Sequence, residues 1–394
     1  MKTKLTFLLS LTFLFLFSGF VCGQETVKKK YHDNGKLKRE THFKNGKRAG
    51  LDTWFYETGK KMFEVHVKNG KAEGLRTVWS ESGKKETETH FKNGKKDGLE
   101  IRWYPSGIKF SKTHYKDGKE DGLGTEWSED GTKRNEKHYK DGRLDVSTSW
   151  YKSGTKRNKK HYKDGKEDGI GTEWYKNGAK RKETHYKDGR LDVSISWYKN
   201  GTKKNKTHYK GEKYNGLRTE WYEDGTKKNE THYKDGKADS LKTEWYKEGT
   251  KRREPYSKDG RADVSISWYK NGTKKNETHY KGEKYNGLKT EWYEDGTKKN
   301  ETHYKDGKED GIGTEWYKDG TKREEKHYKD GRLDVSTVWY KNGAKREETH
   351  YKDGKYNGLR TEWYEDGTKK NETHYEDGKE DDLKTEWSED GNEQ

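Results

Sequence analysis

Apolar and polar positions alternate with period two along the chain, and the alternation is cut at regular places by glycine. In residues 217–236, Leu217, Thr219 and Trp221 fall on one side and Arg218, Glu220 and Tyr222 on the other; beyond Gly225, Asn229, Thr231 and Tyr233 oppose Lys228, Glu230 and His232. Successive side chains of a strand point to opposite faces, so each half of this segment predicts one β-strand. The pattern is sharper in Leu191, Val193, Ile195 and Trp197. Helix is disfavoured because Gly, Thr, Asn and aromatics recur every few residues and no apolar period of 3.6 survives. Asp-Gly and Asn-Gly pairs separate the strands, and both residues of such a pair tolerate positive φ, so Gly225, Gly236, Gly296 and Gly307 are expected turn glycines.

The tryptophans measure the period. They stand at Trp54, Trp79, Trp103, Trp127, Trp150, Trp174, Trp197, Trp221, Trp245, Trp268, Trp292, Trp316, Trp339, Trp363 and Trp387, and nearly every interval is 23 or 24 residues. Such a period marks units that cannot bury an apolar side alone and must stack on their neighbours. A 24-residue hairpin loses about 1.5 kcal/mol per ordered residue, against roughly 0.2–1 kcal/mol returned by a cross-strand pair. The expected fold is therefore all-β: tandem hairpin repeats forming an elongated, twisted, single-layer antiparallel meander. About 30 strands at ~4.8 Å would extend roughly 150 Å before twist or curling. The Trp side chains from Trp79 to Trp387 form its structural ladder.

Three irregularities carry information. Gly follows Trp by four residues everywhere except at Trp54, where it follows by five, which reads as an inserted residue or bulge with Phe55 in the Trp slot. Tyr31, four residues before Gly35, fills that slot in a weaker first unit, giving 16 starts. Units of 23 and 24 residues must differ by a bulge or by which face looks outward. Above this period, residues 148–218, 219–289 and 290–360 are near copies of 71 residues, consistent with tandem duplication.

The recurring Trp-Tyr-x-Asp/Asn-Gly, then His-Tyr-Lys-Asp-Gly-Lys and Gly-Leu-x-Thr-Glu-Trp, resembles the MORN repeat, in particular the bacterial variant known as YwqK-family antitoxin. Trp292-Tyr293-Glu294-Asp295-Gly296 and Tyr304-Lys305-Asp306-Gly307 carry the match, which extends over about residues 28–394. The resemblance implies a β-hairpin repeat in an extended sheet, used for protein or membrane contact. The antitoxin label implies a cytosolic partner of a toxin, which conflicts with the start of this chain.

That start is basic at Lys2 and Lys4 and apolar over Leu5–Phe17 apart from Thr6, Ser10 and Thr12. It reads as a signal peptide, residues 1–23, cleaved after Val21-Cys22-Gly23 to leave the repeat domain 24–394. An uncleaved anchor, a lipid attached at Cys22 and a plain cytosolic N-terminus are the other readings. Cleavage removes the only cysteine and lowers the formal net charge from +17 to +15. The mature chain would be disulfide-free, exported and basic, with 40% charged residues, a balance that suits either a solvated face or an acidic partner.

Fourteen histidines recur one per repeat from His42 to His374, with Tyr256 in the missing slot. Successive copies would lie about 10 Å apart, too far to share one ion, so no metal or cofactor site is expected. Carboxylates such as Glu120-Asp121 are abundant, but nothing stands apart from the repeat as a catalytic site would, and no enzyme is expected. The better ligand platform is the tyrosine after each Trp, expected on the opposite face: Tyr151, Tyr175, Tyr198, Tyr222, Tyr246, Tyr269, Tyr293, Tyr317, Tyr340 and Tyr364. The sequence thus reads as an exported, non-enzymatic scaffold at the cell envelope or beyond it, binding a protein by many weak equal contacts. A surface glycan, stacked on the aromatic ladder, is the rival partner. An anionic membrane is a third, and nucleic acid is not expected for an exported chain.

Overall fold

The computed structural model describes residues 24–257 and 262–394. The expected signal peptide and Cys22 lie outside the described residues. The chain divides into two compact units, one ending at Gly154 and one beginning at Thr155.

Both units are antiparallel meanders in which each strand pairs with its neighbours in the chain. The first runs from strand Glu25–Tyr31 to strand Arg143–Trp150, and the second from Lys156–Lys163 to Lys379–Glu386. Every repeat contributes two strands, as Lys213–Trp221 and Lys227–Lys234 show. Neither unit has a thick apolar core. Among the described residues the buried hydrophobic side chains are Val65 and Val67, while threonines such as Thr207, Thr219, Thr349 and Thr373 are buried along the strands. A single layer leaves both faces to water, so β-branched residues that cover backbone and satisfy their own hydroxyls replace aliphatic ones.

The two turns of a repeat differ. In the Lys-Asp-Gly-Lys turn both central residues have positive φ, 51° at Asp235 and 86° at Gly236, as a two-residue hairpin of the primed type requires. The turn after Trp is longer and corrects the expectation of two positive φ values. Only Gly225 is left-handed there, at 95°; Tyr222 N–H donates to Thr226 O at 2.8 Å. Asp224 does not need positive φ because its carboxylate accepts from Thr226 N–H at 2.9 Å and from the Thr226 hydroxyl at 2.6 Å.

Register explains the 23- and 24-residue units. Where a 24-residue unit is entered, the ladder passes from Thr207↔Arg218 to Tyr209↔Tyr214, so Asn215-Gly216 bulges out with Gly216 at φ 94°. In a 23-residue unit it passes from His185↔Val193 to Tyr186↔Leu191, and Asp192 alone bulges. The difference is a bulge, and the faces stay in phase. Phe55 pairs with Lys61 as Trp221 pairs with Lys227, so it does fill the Trp slot. Trp54 is displaced by one strand position and stacks on Phe63 at 5.5 Å.

Candidate binding surface

Each repeat presents two different faces. On one, Leu217, Thr219 and Trp221 stand opposite His232, Glu230 and Lys227. The tryptophans are half-buried, and the ammonium of the preceding repeat's lysine lies against the ring. Lys203 Nζ is 6.0 Å from the Trp221 centroid, Lys227 5.3 Å from Trp245 and Lys322 4.9 Å from Trp339. The same lysine faces its own tryptophan across the strands and reaches the glutamate three residues on, as Lys322 reaches Glu325 at 2.6 Å. Each contact is modest, about 0.5–1 kcal/mol for a cation on an exposed ring. Repetition makes them a continuous ladder in the second unit, from Lys180 with Trp197 to Lys369 with Trp387, and the first unit repeats the contact at Lys61 with Trp79 and Lys133 with Trp150.

The tyrosines after Trp are not on the opposite face. The strand ends at Trp221, so Tyr222 and its counterparts lie in the turn. Their hydroxyls donate to the carbonyl of the next repeat's tryptophan: Tyr198 to Trp221 O at 3.0 Å, Tyr269 to Trp292 O at 2.9 Å and Tyr340 to Trp363 O at 2.9 Å. The same bond is made by Tyr175, Tyr222, Tyr246, Tyr293, Tyr317 and Tyr364. These half-buried phenols join successive turns, which commits their polar ends to the fold. In the first, weaker unit His32 takes the same place, with Nε2 2.9 Å from Phe55 O.

The histidines serve the backbone as well. His208 Nδ1 lies 2.7 Å from Leu217 O, next to the bulge, and His90, His114 and His303 repeat the contact. Elsewhere the ring turns to the glutamate two residues before it, as His185 does to Glu183 at 2.9 Å. Among the described residues no group of three His, Cys, Asp or Glu is gathered as a metal site.

The opposite face holds what sequence reasoning missed. Tyr209, Tyr214 and Tyr233 sit on three adjacent strands with centroids 5.2 Å apart and ring planes at 61° and 70°. The triad recurs as Tyr280, Tyr285 and Tyr304, and again as Tyr351, Tyr356 and Tyr375. Its central ring is exposed, 37% at Tyr214 and 40% at Tyr285 and Tyr356. Beside it Arg218 lies 5.7 Å from the Tyr214 centroid and pairs with Glu220, which accepts from Asn229 at 2.9 Å. Burial, followed by the neighbouring Tyr214, raises the Tyr209 phenol, and burial beside Tyr356 pushes Tyr351 up to about 12. The Tyr209 and Tyr351 hydroxyls therefore stay neutral donors at ordinary pH. The signal was the Tyr-Asn-Gly at residues 214–216, 285–287 and 356–358, once per 71-residue copy.

Along the Lys-Asp-Gly-Lys edge the last cross-strand pair joins like charges, as in Lys44↔Lys47, Lys187↔Arg190, Lys210↔Lys213 and Lys305↔Lys308. Opposed cations weaken a ladder, and here they recur repeat after repeat.

The family model described as MORN repeat variant matches nine segments: residues 24–45, 50–69, 72–93, 96–117, 167–188, 214–235, 285–306, 309–330 and 356–377. The chain belongs to the MORN-repeat proteins. Each match spans the turn after the Trp slot and ends on the Asp or Asn that opens the next hairpin turn. A comparison of this MORN-repeat chain with curated proteins returns no match. Among solved structures, the crystal structure of TcdB2-TccC3-Cdc42 aligns with 91% of this chain and 23% of its own, at 9% identity and TM-score 0.17. That of TcdB2-TccC3 aligns with 93% and 26%, at 10% identity and TM-score 0.18. The MORN-repeat chain thus spans about a quarter of the length of those chains.

Proposed function

We propose that this MORN-repeat protein is an exported, non-enzymatic scaffold that holds an extended partner at the cell envelope or outside the cell through many equivalent contacts. The observation that carries the reading is the exact return of one surface from copy to copy: the same tyrosine triad, flanked by the same Arg or Lys and Glu, stands three times in the second unit. Equal sites on one sheet add through effective concentration, so weak contacts yield a tight and spacing-sensitive grip. Export rests on the sequence of residues 1–23. A protein partner fits this surface, and a glycan is favoured as a second reading by the exposed central tyrosines.

The test compares binding of the native host envelope fraction by the full chain and by a chain lacking residues 219–289, one whole copy. Multivalent binding predicts a steep loss of affinity with one copy removed. An affinity unchanged by that removal overturns the scaffold reading. N-terminal sequencing of the native protein tests export: a start at Gln24 supports it, and an intact Met1 in the cytosol overturns it.

A further inference from the structure

In the second unit a groove opens beside the tyrosine triad. Leu191 and Tyr209 line its floor, and Lys166, Lys187, Arg190 and Lys210 stand around it with two acids, Asp188 and Asp192. A matching groove lies two copies further along, with Leu333 and Tyr351 between Lys308, Lys329, Arg332 and Lys352. Each groove shares a tyrosine with a triad, Tyr209 in one case and Tyr351 in the other. An exposed aromatic ring and a cationic slot are therefore held side by side, twice, in the same order.

From this we infer that the triad and groove together form a subsite for an acidic polysaccharide, a glycan bearing uronate or comparable anionic groups. The assignment rests on the scaffold reading, taken with a glycan rather than a protein as the partner held. A sugar ring presents axial C–H groups to one aromatic face and hydroxyls at its rim. The single exposed ring of Tyr214 supplies the face, and Arg218, Glu220 and Asn229 supply rim donors and acceptors. Carboxylates one or two sugars away meet the lysines and arginine of the groove, where two acids against four cations leave an excess of positive charge. Strands ~4.8 Å apart place features of adjacent strands at about the rise of one pyranose along a chain. Single-stranded nucleic acid fits less well. Its successive bases need parallel faces, whereas the flanking tyrosines meet Tyr214 at 61° and 70°.

The two grooves are not equal. Where the first has Gly211, the second has Asp353, whose carboxylate is paired with Arg332. The first groove is therefore the stronger subsite for an anion.

The experiment is titration calorimetry of the full chain with polygalacturonate, dextran and oligo-dT at low and physiological ionic strength. Polygalacturonate is expected to bind at least about tenfold more tightly than either of the others, with an affinity that falls as salt rises. Replacing Tyr214, Tyr285 and Tyr356 together by Leu should weaken it by about tenfold or more while circular dichroism stays unchanged, each lost aromatic contact being worth a fewfold. If the triple variant does not fold, Arg190→Ser decides: it should weaken binding more than Arg332→Ser does. Absence of polygalacturonate binding, tighter binding of oligo-dT, or equal binding by wild type and the folded tyrosine variant overturns the assignment. Those outcomes leave the scaffold reading standing if the envelope fraction still binds in a copy-dependent way, so the two failures are separable.

Discussion

Replacing Tyr198 by Phe removes one oxygen and keeps the ring. That oxygen donates to Trp221 O at 3.0 Å across two strands, and the bond joins the turn of one repeat to the strand end of the next. Apolar burial is nearly unchanged by the substitution, so the cost is that of one hydrogen bond, about 0.5–1.5 kcal/mol. Tyr198 is half-buried, and water can reach the vacated carbonyl, which places a single substitution at the low end. In a repeat array, interfaces contribute nearly additively. Tyr198→Phe combined with Tyr269→Phe and Tyr340→Phe, whose bonds are 2.9 Å each, should lower stability by about 1.5–2 kcal/mol. Urea unfolding followed by tryptophan fluorescence reads this as a shift of midpoint at constant slope. An unmoved midpoint in the triple variant would refute the argument that these phenols join the repeats, and would return them to the role of free surface aromatics.

Four further outcomes follow from the same geometry. Burial raises the phenols of Tyr139 and Tyr351 to about 12, and those of Tyr186, Tyr209 and Tyr304 in the same direction, above the ordinary 10.0. A raised phenol lends stability that is present below pH 10 and lost as pH climbs toward the folded value. Circular dichroism should therefore show loss of the sheet between about pH 10 and 12, whereas a sheet intact beyond that window would contradict the burial argument. In the acid direction, Glu183, Glu347 and Glu348 sit below their ordinary 4.5 despite burial, held by Lys180, Arg360 and Lys345. Stability should be full above pH 4.5 and fall as pH drops through the lowered values, which an acid titration of the melting temperature checks. Glu100 is 4% exposed and lies among Lys96, Arg102 and Thr89; Glu100→Gln should cost about 1–3 kcal/mol in thermal unfolding. Gly98→Ala should cost about 1 kcal/mol more than Gly107→Ala: both have positive φ, but a Cβ at Gly98 would sit 3.1 Å from His90 Cβ and one at Gly107 meets nothing within 4 Å.

The strands and their succession as hairpins were legible because period two and the tryptophan interval are both written in residue types that the backbone requires. Phe55 in the Trp slot was readable for the same reason. What stayed hidden were features set by the bulges. Alternation counted through Trp221 places Tyr222 on the opposite face, yet the strand stops at the bulge and the tyrosine swings into the turn. Alternation also cannot show that Tyr209 and Tyr214 become neighbours, since that pairing depends on Asn215-Gly216 being ejected from the ladder. The partner of histidines such as His208, a backbone carbonyl nine residues on, has no sequence signature.

The same bulges give a reason for copying in blocks of three repeats. The groove needs Leu191, which stands where a one-residue bulge enters a 23-residue unit, next to Tyr209 and Tyr214, which meet through the two-residue bulge of the following unit. A single repeat, duplicated alone, would reproduce its own strands and ladder but could not reproduce this junction. Residues 148–218 contain the junction and one tyrosine triad's first two members; the third, Tyr233, comes from the start of the next block. Successive blocks therefore complete each other's sites, and six strands separate one triad from the next, about 29 Å at the usual strand spacing. Selection for a partner that reads that spacing would preserve whole blocks and tolerate drift within them. The middle block shows such drift: it keeps Tyr280, Tyr285 and Tyr304 but carries Ala262 where the others have Leu191 and Leu333. With alanine in place of leucine in that block, Tyr285→Leu alone should weaken polygalacturonate binding less than Tyr214→Leu or Tyr356→Leu alone. Equal losses at all three would mean that the leucine adds nothing to the ring.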